Sequence, residues 1–399
     1  MNVPLLDLKA QYRTLKNELD AAVLRVAESQ YFILGPDVEA LEKNIAEFVG
    51  TKHAIGVSSG TDALLLAMMA LGIGPGDGVI VPTFSFFATA GVVSRLNAVP
   101  IFVDIDPASY NIAPAAIERA IAQYGGTVPI KAIVPVHLYG QAAEMDAIMA
   151  IAAKHNLAVI EDAAQAIGTE YKDGRKVGSI GTVGCFSFFP SKNLGGYGDG
   201  GVITVNDDDL AQRIRIMRVH GGEKQYFHKV IGGNFRLDAL QAAVLNVKLP
   251  NLNGWSDGRR ANAAFYNAAF IEAGFAEAEG CTSFDAKNRI LLPARVHEGA
   301  AMEHNYRHIY NQYCIRVQDR DGLVKHLQSS GIGCAVYYPV PFHQQECFAG
   351  GISTTDSFPV SDDTCSTILA LPVYPELTRE MLAQVVEVVS KWVNQGESR

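Results

Sequence analysis

Apolar residues recur with helical spacing near the start of the chain. In the stretch PDVEALEKNIAEFVG they occupy positions 38, 41, 45 and 48, which lie on one face of an α-helix. Asp37 stands where an N-cap residue would, and Gly50 stands where a glycine would end the helix. The pattern therefore predicts an amphipathic helix that begins after Asp37 and ends before Gly50.

Beyond this helix the pattern changes to short apolar runs separated by helical stretches. We predict a helix at AEMDAIMAIAAKHN and strands at HAIGV, GVIVP, PIFVDI, IKAIVPVHLYG, LAVIEDA and GVITVN. Such alternation is typical of an α/β domain with a mostly parallel, buried sheet. Ligands collect at the carboxyl ends of strands in such sheets, so residues there are the first candidates for a site.

From about residue 250 the spacing changes again. A long helical stretch over 249–275 is followed by a predicted strand at YRHIYNQYCIRV and by helices at RDGLVKHLQSSG and TREMLAQVVEVVSKWVNQ. We expect three parts: an N-terminal helical segment over 1–30 that packs with the small domain, a large α/β domain over 31–250, and a smaller α+β domain over 251–399.

Length, charge and cysteine usage narrow the class of protein. The 399 residues exceed the usual size of a single core, and the net charge of −9 argues against nucleic acid or an anionic membrane as the main partner. No apolar stretch reaches the roughly 18 residues of a membrane span, and the N-terminus has no signal pattern. The six cysteines are dispersed and form no CxxC pair, which predicts reduced thiols and a cytoplasmic enzyme. The histidines are also dispersed, so no metal site is predicted.

Two segments follow predicted strands with residues that are unusual in plain packing. Ser59, Gly60 and Thr61 precede an apolar helix, so backbone N–H groups there could hold a phosphate, although an ordinary helix cap has the same pattern. Asp162 follows the apolar run LAVI, and a carboxylate buried at a strand end needs a cationic or N–H partner. A ring nitrogen of a cofactor, a salt bridge or a helix cap would each satisfy it.

A third segment, FSFFPSKNLGGYGDGG, places Lys192 directly after a hydrophobic strand end. Its glycines satisfy G-x-G-x-x-G, but the following residues VITVN indicate a strand where a dinucleotide fold requires a helix. A lysine in this place would be partly desolvated, which favours the neutral amine and imine chemistry. A solvated lysine at a turn is the alternative.

Together the three segments meet the needs of pyridoxal 5′-phosphate. Its aldehyde requires an amine, its pyridine nitrogen requires a carboxylate, and its phosphate requires N–H donors such as those of a helix N-terminus. The aromatic stretch PTFSFFATA could add a ring that stacks on the pyridine, or could belong to the core.

The motifs SSGTDAL, EDAAQAIG, FSFFPSKNLGGYGDGG and IGGNFRLDALQAA resemble those of the DegT/StrS sugar aminotransferases, in the family's order along nearly the whole chain. The resemblance implies the fold-type I aminotransferase fold, with a mostly parallel, seven-stranded type of sheet in the large domain. It also implies a homodimer whose active sites lie at the subunit interface.

The resemblance also assigns roles to individual residues. It implies that Lys192 forms an imine with the cofactor and that Asp162 contacts the pyridine nitrogen. The other residues it assigns to the cofactor are Ser59, Gly60, Thr61 and Ser187 at the phosphate, Phe86 on the ring, Gln165 near the phenolic oxygen, and Asn234 from the neighbouring subunit. His343 and Tyr338, both in YYPVPFHQQ, would face the sugar.

The activity implied is transfer of an amino group from glutamate to a nucleotide-linked keto-sugar. Similarity of KNLGGYGDGG and HKVIGGNFRLD to enzymes that act at C3 favours a UDP-linked 2-acetamido-3-keto-sugar or uronate as substrate, with a product destined for lipopolysaccharide O-antigen or another polysaccharide. The alternatives are a 4-keto-sugar or dTDP-sugar substrate, a pyridoxal-phosphate lyase or aldolase acting on an amino acid, and a nucleotide-binding module without catalysis.

Overall fold

A computed structural model describes residues 2–224, 226–297 and 306–396. Its centre is a seven-stranded sheet. The strands are β1 His53–Val57, β2 Gly78–Pro82, β3 Val99–Val103, β4 Ile130–Ile133, β5 Ala158–Asp162, β6 Val183–Ser187 and β7 Gly201–Val205. Their order across the sheet is β1-β7-β6-β5-β4-β2-β3, and β7 runs antiparallel to both of its neighbours, β1 and β6. The predicted α/β fold with a mostly parallel sheet is confirmed.

Helices cover both faces of this sheet, because its strands carry apolar side chains on both sides. One face packs against α2 Pro36–Val49, α5 Pro114–Tyr124, α6 Met145–His155 and α8 Ala239–Lys248. The other face packs against α3 Gly60–Ala70, α4 Ala88–Arg95 and α7 Asp208–Arg218. The loop after α7 forms a small hairpin of β8 Gly222–Lys224 and β9 Phe227–His228.

The C-terminal residues form a separate apolar cluster around a second small sheet. In it β10 Tyr313–Arg316 pairs antiparallel with β11 Ile368–Leu371. The helices of this part are α9 Leu252–Glu272, α10 Arg320–Ser329, α11 Pro359–Thr367 and α12 Arg379–Gly396.

The N-terminal segment contacts both parts of the chain. Val3 pairs with Ile332 beside α10, and its side chain joins the C-terminal apolar cluster. Helix α1, Leu8–Ser29, packs instead on α8, where Ala22 and Val26 meet Ala239 and Ala243.

Three local predictions were wrong. Helix α2 begins at Pro36 with Gly35 as N-cap, so Asp37 lies inside the first turn and pairs with Arg25 at 2.6 Å. Proline favours the first helical position because its φ is already helical and that position needs no N–H partner. The strand predicted over 130–140 ends at Ile133, and the one predicted from 306 begins only at Tyr313. Left-handed residues at Tyr139 and Tyr310 interrupt both stretches.

Within the described ranges, no helix has the length and apolar character needed to cross a bilayer. Across those same residues, no three His, Cys, Asp or Glu side chains gather as a metal site would require.

Gly184 and Gly254 should respond in opposite ways to alanine. A Cβ at Gly184 in β6 would lie 2.4 Å from the Gly178 Cα, whereas one at Gly254 in α9 meets nothing within 4 Å. We expect Gly184→Ala to lower the free energy of unfolding by at least about 2 kcal/mol through overpacking. Gly254→Ala should raise it by about 0.5–1 kcal/mol because alanine is the better helix former. Urea titration followed by circular dichroism would measure both, and equal changes would contradict the packing described.

Candidate active site

A cavity of about 700 Å³ lies at the carboxyl ends of strands β5 and β6. Most of the residues predicted from sequence meet there. Those that line it are Ser59, Gly60, Thr61, Phe86, Asp162, Gln165, Ser187, Lys192 and Tyr338. The remaining walls are largely aromatic and aliphatic, so charged groups inside the cavity have little water around them.

Lys192 projects from a tight turn after β6. Its backbone N–H donates to the Phe189 carbonyl at 2.9 Å. Gly195 closes the turn, where a Cβ would lie 2.3 Å from the Pro190 carbonyl oxygen. Burial lowers the pKa of the Lys192 amine to about 8, although the negative charge of Asp162 opposes this shift. A minority of the amine is therefore neutral, and hence nucleophilic, at physiological pH, and half of it is neutral near pH 8.

Asp162 ends β5 and is only 5% exposed. Burial raises the pKa of its carboxyl group, while hydrogen bonds from Thr89 and Ala164 and the charge of Lys192 act in the other direction. Thr89 Oγ1 donates at 2.8 Å and the Ala164 N–H at 3.2 Å. These donors hold the carboxylate in one orientation without neutralising it, which leaves it available to a cationic ligand group.

A second buried acid fixes the strand end that carries Asp162. The Glu161 carboxylate accepts hydrogen bonds from the N–H groups of Gly178, Ile180 and Gly181 at 2.6–2.8 Å. It also accepts one from His137 Nε2 at 2.9 Å. The other ring nitrogen, His137 Nδ1, accepts the Ala143 N–H at 3.1 Å. The four donors offset the cost of burying this charge.

The predicted anion cradle lies at the N-terminus of α3. Ser59 caps the helix by accepting the Asp62 N–H at 3.0 Å, and the first helical N–H groups have no partner within the helix. Two strand ends approach closely here. A Cβ at Gly60 would come within 2.7 Å of Ser187, and one at Gly201 within 2.6 Å of the Ser59 backbone. Hydroxyl and N–H donors therefore converge on one spot, as a phosphate requires.

Gln165 and Tyr338 form one wall of the cavity. Gln165 Nε2 donates to the Tyr338 hydroxyl at 3.0 Å, and its Oε1 accepts the Tyr139 N–H at 2.7 Å. The Phe86 ring lies 6.3 Å from the ring of Tyr338 and is 55% exposed at the mouth of the cavity. Phe86 is thus free to contact a flat ligand from one side.

Two predicted site residues lie outside this lining. Asn234 lies in the loop that follows the β8–β9 hairpin, and its backbone forms an isolated antiparallel bridge with Val219 at the end of α7. His343 is not among the lining residues, and its ring is held between Thr83 Oγ1 at 2.9 Å and the Asp362 carboxylate at 3.2 Å. Its expected contact with the sugar stays a prediction. Its neighbour Phe342 lines the cavity instead.

Sequence reasoning missed several contributors. Thr89, which orients Asp162, lies in the stretch PTFSFFATA, in which only the aromatic residues were predicted to contact the cofactor. Gln312 and Gln345 line the cavity from the C-terminal part, about 120 and 150 residues beyond Lys192. No local pattern marks residues of that kind.

The chain matches the DegT/DnrJ/EryC1/StrS aminotransferase family over residues 13–390. It belongs to this family. The predicted family is thereby confirmed, together with its pyridoxal-phosphate-dependent aminotransferase chemistry.

Relatives of known description support the assignment. The "pleiotropic regulatory protein" of Geobacillus stearothermophilus is 46% identical over 98% of this chain and 99% of its own length. The UDP-N-acetyl-3-dehydro-alpha-D-glucosamine 3-aminotransferase of Acidithiobacillus ferrooxidans is 42% identical, over 98% and 97%. The dTDP-3-amino-3,4,6-trideoxy-alpha-D-glucose transaminase of Streptomyces venezuelae is 39% identical, over 98% and 96%.

Solved structures have the same fold. A DegT/DnrJ/EryC1/StrS aminotransferase from Brucella abortus superposes with a TM-score of 0.88 at 39% identity, over 98% of this chain and 99% of the other. Streptomyces venezuelae DesV, solved in complex with a ketimine intermediate, gives 0.87 at 39% identity, over 98% of both chains. The fold-type I architecture is confirmed.

The cavity fits pyridoxal phosphate on its own chemistry. It offers an amine with a lowered pKa at Lys192, an oriented buried carboxylate at Asp162, and converging donors at Ser59, Gly60 and Ser187. These match, in turn, the aldehyde, the ring nitrogen and the phosphate of the cofactor.

Uptake of pyridoxal phosphate by the apo protein should accelerate with rising pH, with a midpoint near pH 8. Only the neutral amine attacks an aldehyde, and the pKa of Lys192 is lowered to about 8. In Asp162→Asn the midpoint should fall, because the negative charge that raises the lysine pKa is gone. Stopped-flow absorbance from about pH 6 to about pH 10 measures this, with Lys192→Ala as the blank. A midpoint near 10.5 would show a solvated lysine.

Proposed function

We propose that the protein transfers an amino group from glutamate to C3 of a UDP-linked 2-acetamido-3-keto-sugar. The observation that carries the proposal is the placement of the Lys192 amine, with its pKa lowered to about 8, beside the buried Asp162 carboxylate in one largely apolar cavity. The name of the Acidithiobacillus relative supports the choice of sugar and of carbon atom. The name of the Streptomyces relative supports a 3-amino product as well, but on dTDP.

The charge of the lining favours a neutral sugar over a uronate. Among the described residues that line the cavity, Lys192 is the only basic one, while Asp162 and Asp199 are acidic. Among the described lining residues a uronate carboxylate would therefore meet no cation other than Lys192, and it would lie near like charge. A neutral 2-acetamido sugar carries no such cost.

In the mechanism, Lys192 first holds the cofactor and then moves a proton. Pyridoxal phosphate, when bound, supplies an electron sink and carries the amino group between the two half-reactions. Once displaced by the amino donor, the Lys192 amine can accept the proton from the donor's Cα, because its lowered pKa of about 8 makes the neutral form accessible. In the second half-reaction the same amine returns a proton to the sugar carbon. Asp162, oriented by Thr89, stabilises positive charge on the ring nitrogen throughout.

The same proposal places the reaction in the cytoplasm and its product in the synthesis of surface polysaccharides, including lipopolysaccharide O-antigen. Both inferences rest on the family resemblance, and the names of the relatives add only that nucleotide-linked sugars are the substrates of those relatives.

A homodimer with shared sites forms part of the proposal. The loop over 222–231 presents Tyr226, Phe227 and Ile231 with exposures of 83%, 72% and 85%, which is unusual for a free surface. Asn234 follows this loop, so docking of the loop on a second copy would carry it toward that copy's cavity. On the same loop Lys229 forms an ion pair with Glu223, which leaves Lys224 as the basic residue that could provide positive charge for a diphosphate.

Lys192→Ala should lower kcat by about 10³-fold with glutamate and a UDP-linked 2-acetamido-3-keto-sugar, within the range expected for a lost acid–base group. The matched control is Lys176→Ala. The pKa of Lys176 is also lowered by burial, but its ammonium donates to the Phe48 carbonyl outside the cavity. Coupled detection of 2-oxoglutarate measures turnover.

The outcomes separate the alternatives. Full turnover by Lys192→Ala without added amine would contradict the mechanism. Transfer only to 4-keto-sugars or dTDP-sugars would replace the proposed substrate. Cleavage of an amino acid without amino transfer would identify a lyase.

Ile231→Asp should dissociate the dimer and lower activity together, because a buried unpaired carboxylate is costly at an interface. Ile271→Asp, at a 37%-exposed residue of α9, is the control and should remain dimeric. Light scattering after size exclusion gives the mass, and turnover measured against protein concentration gives the linked activity. A fully active Ile231→Asp monomer would exclude shared sites.

A further inference from the structure

Asn193, the residue that follows Lys192, is buried outside the cavity lining. Its Oδ1 accepts a hydrogen bond of 2.6 Å from Asn311 Nδ2, and its own Nδ2 donates to the Ile309 carbonyl at 3.3 Å. The carbonyl acceptor fixes which way the Asn193 amide faces. The turn that carries Lys192 is therefore tied to residues 309–311 of the C-terminal part.

The segment that holds Asn193 is itself rigidly placed. The Asn311 N–H donates to the Tyr139 carbonyl at 2.8 Å. Arg259 of α9, only 5% exposed, donates to the carbonyls of Tyr310 at 3.1 Å and Asn311 at 3.3 Å. The next residue, Gln312, lines the cavity. Asn311 thus lies between a buried guanidinium on one side and the turn that bears Lys192 on the other.

Stability alone does not explain why an asparagine occupies position 311. Its Oδ1 is buried and has no hydrogen-bond partner among the described residues. Leaving a buried acceptor unpaired is unfavourable. An apolar side chain of similar volume would remove this acceptor but would leave the buried Asn193 Oδ1 without the donor it has now, so the number of unpaired buried acceptors would not change. What an apolar side chain cannot do is donate to Asn193.

We propose that Asn311 is a positioning residue for the reaction. Its Nδ2–H group, acting through Asn193, holds the Lys192 turn so that the amine reaches both the cofactor and the Cα of the amino donor. The inference rests on the proposed role of Lys192 in proton transfer. Small misplacement of a proton-transfer group is known to cost large factors in rate.

Asn311→Leu tests this, because leucine has a similar volume and removes both the donor and the unpaired acceptor. We expect kcat to fall about tenfold while KM for the sugar stays within about twofold. The thermal midpoint should remain within about 2 °C of the wild type. With glutamate deuterated at Cα, the isotope effect on kcat should rise, because proton transfer becomes slower relative to other steps. Pyridoxal-phosphate uptake by the apo variant should slow as well.

Two further variants complete the design. Asn193→Ala breaks the same hydrogen bond from the other side, and the double variant should have a kcat no lower than the poorer single variant. Asn44→Leu is the matched control, since it removes an exposed amide pair with Asn246 at 3.0 Å, and it should keep the wild-type kcat. If Asn311→Leu does not fold, Asn193→Ala is judged by the same measurements.

The results distinguish this inference from the proposed function. If Lys192→Ala is inactive but Asn311→Leu and Asn193→Ala keep the wild-type kcat, isotope effect and uptake rate, the positioning role is wrong and the function stands. A kcat that falls only in step with thermal stability, with an unchanged isotope effect, would also overturn it. Turnover by Lys192→Ala would instead overturn the proposed function.

Discussion

The burial of Lys192 and Asp162 in one cavity is the constraint on which the rest of the site depends. Desolvation lowers the pKa of the amine and raises that of the carboxyl group, while their mutual attraction acts against both shifts. Two donors, Thr89 and the Ala164 N–H, favour the ionised carboxylate without cancelling its charge. The balance leaves a nucleophilic amine near an oriented negative charge, which is the combination that imine chemistry needs.

The central sheet makes this arrangement possible. Strands β5 and β6 are neighbours, so Asp162 and Ser187 emerge at the same edge. Strand β1 leads into the cradle at Gly60. Because Gly60 has no side chain, Ser187 can lie close to it, and because Gly201 has none, the Ser59 backbone can lie close to Gly201. On the opposite face of β5, Glu161 is held by four donors, so the strand end has little freedom to move.

The C-terminal part completes the cavity. It contributes Tyr338 and Gln312 to the walls, and through Asn311 it holds the residue next to Lys192. Left-handed residues at Tyr139 and Tyr310 bring the two parts together, since the N–H of Asn311 donates to the carbonyl of Tyr139. Non-glycine residues adopt this conformation at a cost and tend to occur near functional sites. Contacts between the two parts therefore set the geometry that the sheet alone leaves open.

The amino-acid sequence by itself determined the sheet strands, the family, and the residues of the cavity that follow strands: Ser59, Gly60, Asp162, Ser187 and Lys192. Apolar runs that end in a polar residue are local signals, and parallel strands bring such ends together. Only the tertiary structure decided that His343 turns toward Thr83 and Asp362, that Thr89 orients Asp162, and that Asn311 reaches Asn193. Apart from the pair of His343 with Asp362, these contacts join residues about 70 to 260 positions apart. The packing of distant segments selects them, and no local spacing in the chain encodes that packing.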